Sequence, residues 1–180
     1  FLPLIGRSYR QSANSVSRRH RDTHGTVLAT HESCDARAVW RAMEREGLPE
    51  AERLYVAAVR SVYLGETDAA RHAAGRLLGR QESVPPYGRT ANWMGRYIGA
   101  TAYLMDGDGG TARIWLEEAR KEADSVDLLN NLSAAAALTG DVGDAKRLNA
   151  AVLHGRPDFA DAEKTRAFLS GKADSAAITL

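Results

Sequence analysis

Apolar residues recur along most of this chain at helical rather than strand spacing. Leu54, Ala57, Ala58, Val62 and Tyr63 fall on one side of a helix, as do Met94, Ile98, Ala102 and Tyr103, and then Leu128, Leu132, Ala136 and Leu138. Second amphipathic stretches alternate with these: Val39, Trp40 and Met43; Ala70, Ala74, Leu77 and Leu78; Ile114, Trp115 and Ala119; Leu148, Ala151 and Leu153. The pattern predicts helices near 34–46, 49–64, 67–79, 89–105, 110–123, 125–139, 142–154 and 159–170. Gln81–Gly88, with paired prolines and a glycine, reads as a surface loop tolerant of insertion. Val, Ile, Phe and Thr are too sparse and scattered to build a sheet.

The polar punctuation between helices repeats. Gly65-Glu-Thr-Asp-Ala-Ala70-Arg71, Gly107-Asp-Gly-Gly-Thr-Ala112-Arg113 and Gly140-Asp-Val-Gly-Asp-Ala145-Lys146 share a glycine, an acid, three variable residues, an alanine and a base, at intervals of 42 and 33 residues. A half-copy, Asp35-Ala36-Arg37, precedes Asp68-Ala69-Ala70 by 33 residues. Each glycine (Gly65, Gly107, Gly140) supplies the left-handed conformation that ends a helix. The acid after it caps the next helix and suits its positive end. The small Ala70, Ala112 and Ala145 let the paired helices approach closely. Each hairpin leaves an apolar side for its neighbour to cover, so the expected architecture is all-α: a short right-handed α-solenoid of three to four hairpins. Residues 34–170 form this domain, after an extended arm over 1–33 and before a tail over 171–180.

Composition adds to the picture. The 180 residues include 31 Ala and 20 Arg but only 4 Lys, a helix-favouring bias. The net charge of +1 hides an asymmetry: residues 1–30 carry Arg7, Arg10, Arg18, Arg19 and Arg21 against Asp22 alone, and the rest is net acidic. Arg-rich, Ser-rich and acid-poor is the composition of an organellar targeting region. The chain begins at Phe1 without an initiator Met, consistent with a processed mature end or with a truncated chain. So polar an arm cannot offset its own ordering entropy, so a partner is expected to hold it. No apolar run approaches the roughly 18–20 residues of a membrane-spanning helix. The single Cys34 cannot form an internal disulfide.

Candidate chemistry is thin. His24, His31 and Cys34 have a loose metal-ligand spacing but no fourth ligand at helical or knuckle distance. Asp106-Gly-Asp108-Gly-Gly110, with Glu117 eleven residues after its first Asp, superficially matches a calcium loop, but a helix begins inside it. His72 and His154 read as surface or helix-end residues, and Glu117, Glu118 and Glu122 as partners of Arg113, Arg120 and Lys121 along one helix. The expectation is a non-enzyme without a cofactor or small-molecule substrate.

Ala36-Arg-Ala-Val-Trp-Arg-Ala-Met43-Glu-Arg-Glu-Gly47-Leu-Pro49 resembles the second helix and linker of a pentatricopeptide repeat, which typically ends in Met, a few polar residues, Gly and Pro. Pro49 lies 16 residues before Gly65, the family's spacing. An equal count back from Gly140 reaches Asp124-Ser125-Val126, followed by Leu129-Asn130-Asn131-Leu132, again similar to the family. The resemblance spans roughly 34–156, and tetratricopeptide repeats share the same hairpin logic. The middle copy departs from the pattern through Pro85-Pro86 and through Ala91 where a proline would fall.

Such repeats usually bind single-stranded RNA in organelles, reading bases with a polar residue early in each first helix. The matching positions here are Tyr55, Tyr97 and Asn130, of which only Asn130 has the expected side chain. The body is also net acidic, which repels phosphate. In size, repeat number, N-terminal composition and lost base-reading code, the chain resembles the pentatricopeptide-like subunits on the F1 head of euglenozoan mitochondrial ATP synthase. The resemblance implies a mitochondrial, matrix-side accessory subunit of the ATP-synthesising complex. Such a subunit is attached outside the F1 α subunit, takes no part in nucleotide binding and does not insert into the membrane. The alternatives are an accessory subunit of another respiratory complex or of the mitoribosome, and an organellar RNA-binding repeat protein.

Overall fold

The computed structural model describes residues 47–84 and 88–173. The expected arm with Arg7, Arg10, Arg18, Arg19 and Arg21, the expected helix 34–46, and the tail beyond Ala173 lie outside the described residues. Seven helices occur among the described residues: α1 (Glu50–Tyr63), α2 (Thr67–Gly75), α3 (Ala91–Met105), α4 (Gly109–Glu122), α5 (Val126–Leu138), α6 (Val142–Gly155) and α7 (Ala160–Leu169).

Local chemistry explains the helix ends. Pro49 precedes α1, and Glu50 and Glu52 lie in its first turn, where carboxylates meet the positive end of the helix. Thr90, Asp108, Ser125 and Asp141 each accept a backbone N–H with their side chains, from Trp93, Thr111, Leu128 and Asp144, and so start α3, α4, α5 and α6.

Each helix packs on the next, and α1 also packs on α3, α3 on α5 and α5 on α7; α2, α4 and α6 have no comparable contact with one another. The odd-numbered helices thus touch one another in order and form one layer, and the even-numbered ones form a second layer packed against it. One core runs through both layers, with Leu54, Leu77, Leu104, Leu116 and Leu128 fully buried. A smaller cluster of Val152, Phe159 and Ala162 seats α7. Buried polar side chains tie neighbouring helices. Asn131 Nδ2 donates to Thr101 Oγ1 (3.2 Å), Ser133 Oγ to the Ala145 carbonyl (2.8 Å) and Asn149 Nδ2 to the Ala162 carbonyl (2.8 Å). Each link satisfies polar atoms whose burial alone would be costly.

Two details differ from the sequence expectation. Helix α2 stops at Gly75, not near 79: Leu77, Leu78 and Arg80 donate their N–H groups to the carbonyls of Ala74, Gly75 and Leu77, tightening the chain into three-residue turns. Glycines at 75 and 79 weaken a helix there, while Leu77 is drawn fully into the core. The expected loop at 81–88 also contains part of a two-residue antiparallel ladder, β1 (Ser83–Val84) with β2 (Arg89–Thr90), pairing Ser83 with Thr90 and Val84 with Arg89. Val84 is fully buried, so this connection is pinned to the core at one point rather than lying wholly on the surface.

Candidate interaction surface

Three helix-to-helix turns share one backbone design. Gly65, Gly107 and Gly140 have φ of +75°, +76° and +80°, and a Cβ at any of them would meet nothing within 4 Å, so conformation alone demands glycine. In each turn the residue after the glycine donates its N–H to the carbonyl five residues back: Glu66 to Ser61 (2.8 Å), Asp108 to Tyr103 (2.9 Å) and Asp141 to Ala136 (2.9 Å). The glycine itself donates three residues back, to Val62, Leu104 and Ala137. These are the bonds that satisfy the last carbonyls of a helix closed by a left-handed residue. Gly171, at φ +72°, closes α7 with the same bonds: Gly171 to Phe168 and Lys172 to Ala167. Five residues after the first three glycines, Ala70, Ala112 and Ala145 are all fully buried.

The turns line one edge of the molecule, where bases and acids join successive helix pairs. Arg71 on α2 pairs with Asp106 at the end of α3 as well as with Asp68 on its own helix, and its guanidinium lies 5.1 Å from the Tyr103 ring centroid. Arg113 on α4 reaches Asp141 (3.0 Å) and Asp144 (2.9 Å) in the next pair and Glu117 (2.9 Å) on its own helix. The Arg71 guanidinium holds the Asp106 carboxyl below the usual carboxylate range, and Arg113 does the same for Asp141. The Asp108 carboxyl is lowered by the Thr111 backbone N–H that it accepts.

On another part of the molecule Glu50 receives both Arg76 and Arg80 at 2.7 Å, and its carboxyl is lowered by Arg80 first. Near the ladder, Trp93 stacks on Tyr97 (5.2 Å between centroids), lies under the Arg89 guanidinium, and donates its indole N–H to the Ala123 carbonyl (2.9 Å).

The sequence-derived candidates fall as follows. Tyr55 and Asn130, two of the three base-reading positions, are 7% and 4% exposed, and Tyr97 is half-buried in its stack on Trp93. Neither Tyr55 nor Asn130 offers an edge that a base could reach. Asp106, Asp108 and Glu117 have separate tasks, pairing with Arg71, capping α4 and pairing with Arg113. No group of three or more metal-ligating side chains occurs among the described residues. His24, His31 and Cys34 lie outside them, and His72 and His154 are exposed. No described helix is long and apolar enough to cross a membrane. The Arg71–Asp106 and Arg113–Asp141 pairs were missed from sequence; the signal was present, as a base six residues after one glycine and an acid adjacent to the next.

Fold and surface together define an all-α protein of paired helices joined by short glycine turns. Compared with protein-family models, curated proteins and solved structures, the chain matches none.

Proposed function

We propose that the chain is a short right-handed α-solenoid of pentatricopeptide or tetratricopeptide type that serves as a non-catalytic docking subunit of a mitochondrial assembly. The F1 head of ATP synthase, through its α subunit, is the leading candidate. The observation that carries the reading is the recurrence of one turn design at Gly65, Gly107 and Gly140, with small buried residues behind it. Repeated hairpins of this kind build an extended surface rather than an enclosed pocket. The F1 assignment rests on the sequence resemblance in size, repeat number and lost base-reading code. The burial of Tyr55 and Asn130 weighs against the RNA-binding alternative.

The test is affinity capture of the tagged full chain from mitochondria, with mass spectrometry and cross-linking. Recovery with F1 subunits, and cross-links to α, is the expected result. Recovery with another respiratory complex or the mitoribosome would replace the F1 assignment and keep the docking role. Salt-sensitive RNA binding without a protein partner would overturn the docking role itself.

A further inference from the structure

We infer that residues 34–46 close the start of the array, docking as a further even-type helix on the flank of α1 that carries Arg53, Val56, Ala57 and Arg60. This concerns the chain's own end and stands whichever assembly the chain joins. Helices α3 and α5 each lie between two even-numbered helices, α2 with α4 and α4 with α6. Among the described residues, α1 packs mainly on α2 and α3. Counting back from the turn glycines locates the flank that faces a preceding helix. Twelve and five residues before Gly107 stand Gly95 and Ala102; the same counts before Gly140 reach Leu128 and Ala135. All four are buried, Gly95 lying against Ala74 and Leu77, and Ala135 against Gly109 of α4. On α1 the same counts before Gly65 give Arg53 and Arg60, with the half-buried Val56 and Ala57 between them. A helix that docks here must therefore offer carboxylates towards both ends and an apolar side chain midway. Arg60 shows the need: its side chain is 18% exposed, its Nε is buried without an acceptor among the described residues, and its pair with Glu66 spans 3.6 Å.

Segment 34–46 answers that chemistry. Ala36, Val39, Trp40 and Met43 fall on one helical stripe, and Asp35 and Glu44 border it. Gly47 has φ +70°, the conformation that Gly65, Gly107, Gly140 and Gly171 adopt two residues beyond the ends of α1, α3, α5 and α7. Residues 47–49 then lead into α1, a link as short as 123–125 between α4 and α5, and so short a connection lays its two helices antiparallel. Equal counts outward from that link match Glu44 with Arg53, Trp40 with Val56 and Ala57, and Asp35 with Arg60, each to within one residue. Two ion pairs thus bracket one aromatic anchor. The end of the array is joined through charge where the later flanks are apolar, as suits a terminal repeat.

The experiment is hydrogen–deuterium exchange read by mass spectrometry on the full chain. Amides of 37–46 are expected to exchange slowly in the parent protein. Arg53→Glu speeds their exchange about threefold to tenfold, the scale of a half-buried ion pair, and adding Glu44→Arg restores the slow rate. Ala57→Asp, which sets a charge under Trp40, abolishes the protection of 37–46. Protection of α5 and α6 stays at the parent level in every variant and serves as the check on folding. Exchange of 37–46 at the rate of an unstructured peptide in the parent chain would overturn the proposal even if a variant fails to fold. A loss in Arg53→Glu that Glu44→Arg does not repair, in a chain whose α5 and α6 remain protected, sinks the pairing. Protection that rises with protein concentration assigns the flank to a second copy and rejects the intramolecular dock.

Discussion

Gly95 is the position where the contact between helix pairs is tightest to test. It sits inside α3, and a Cβ built there would lie 2.6 Å from the Ala74 carbonyl oxygen and 2.8 Å from the Leu77 Cβ. One neighbour is backbone and the other the root of a fully buried side chain, so neither yields without moving α2 away from α3. Overpacking of this kind costs about 1–3 kcal/mol. Alanine in a helix interior returns about 0.5–1 kcal/mol of lost backbone freedom. Gly95→Ala is therefore expected to destabilise by about 1 kcal/mol. Gly75, the last residue of α2, meets nothing within 4 Å, so Gly75→Ala keeps the propensity gain without the clash and stabilises by roughly 0.5 kcal/mol. The gap of about 1.5 kcal/mol corresponds to roughly 3–6 °C in melting temperature for a chain of this size. Thermal unfolding followed by circular dichroism at 222 nm measures it. Equal melting of the two variants, or the reverse order, would refute the placement of α3 against α2.

Other expectations follow from the turns, the anchors and the charges. Gly65→Val and Gly140→Val place a β-branched residue at φ +75° and +80° with open space around it, so backbone strain alone costs about 1–2 kcal/mol; Gly65→Asn, which tolerates that region, melts higher than Gly65→Val. Trp93→Phe removes the bond to the Ala123 carbonyl from a residue 5% exposed, and urea unfolding should show a loss of about 1–3 kcal/mol. The carboxyls of Asp106, Asp108 and Asp141 are lowered in the fold, so the stability they contribute is present above the ordinary aspartate value of about 3.9 and is lost as pH falls through their folded values. Urea midpoints should drop below about pH 4, and the drop should be smaller in Asp141→Asn.

The helices and their turns were legible in the residues because both are local. A 3.6-residue apolar period, a capping oxygen at Thr90, Asp108, Ser125 or Asp141, and a glycine where φ must be positive each depend on a few neighbouring positions. The same locality made the pairing of α1 with α2, α3 with α4 and α5 with α6 readable from the spacing of Gly65, Gly107 and Gly140. What the chain order could not convey is how one pair lies on another. That arrangement buried Tyr55 and Asn130, drew Val84 inward to form the small ladder, and pressed Gly95 onto α2. It also brought Arg71 to Asp106, 35 residues away, and Arg113 to Asp141, 28 residues away. Those outcomes depend on the relative rotation of packed helices. Such rotation is chosen by side-chain shape and burial summed over whole interfaces, and no short stretch of residues carries it.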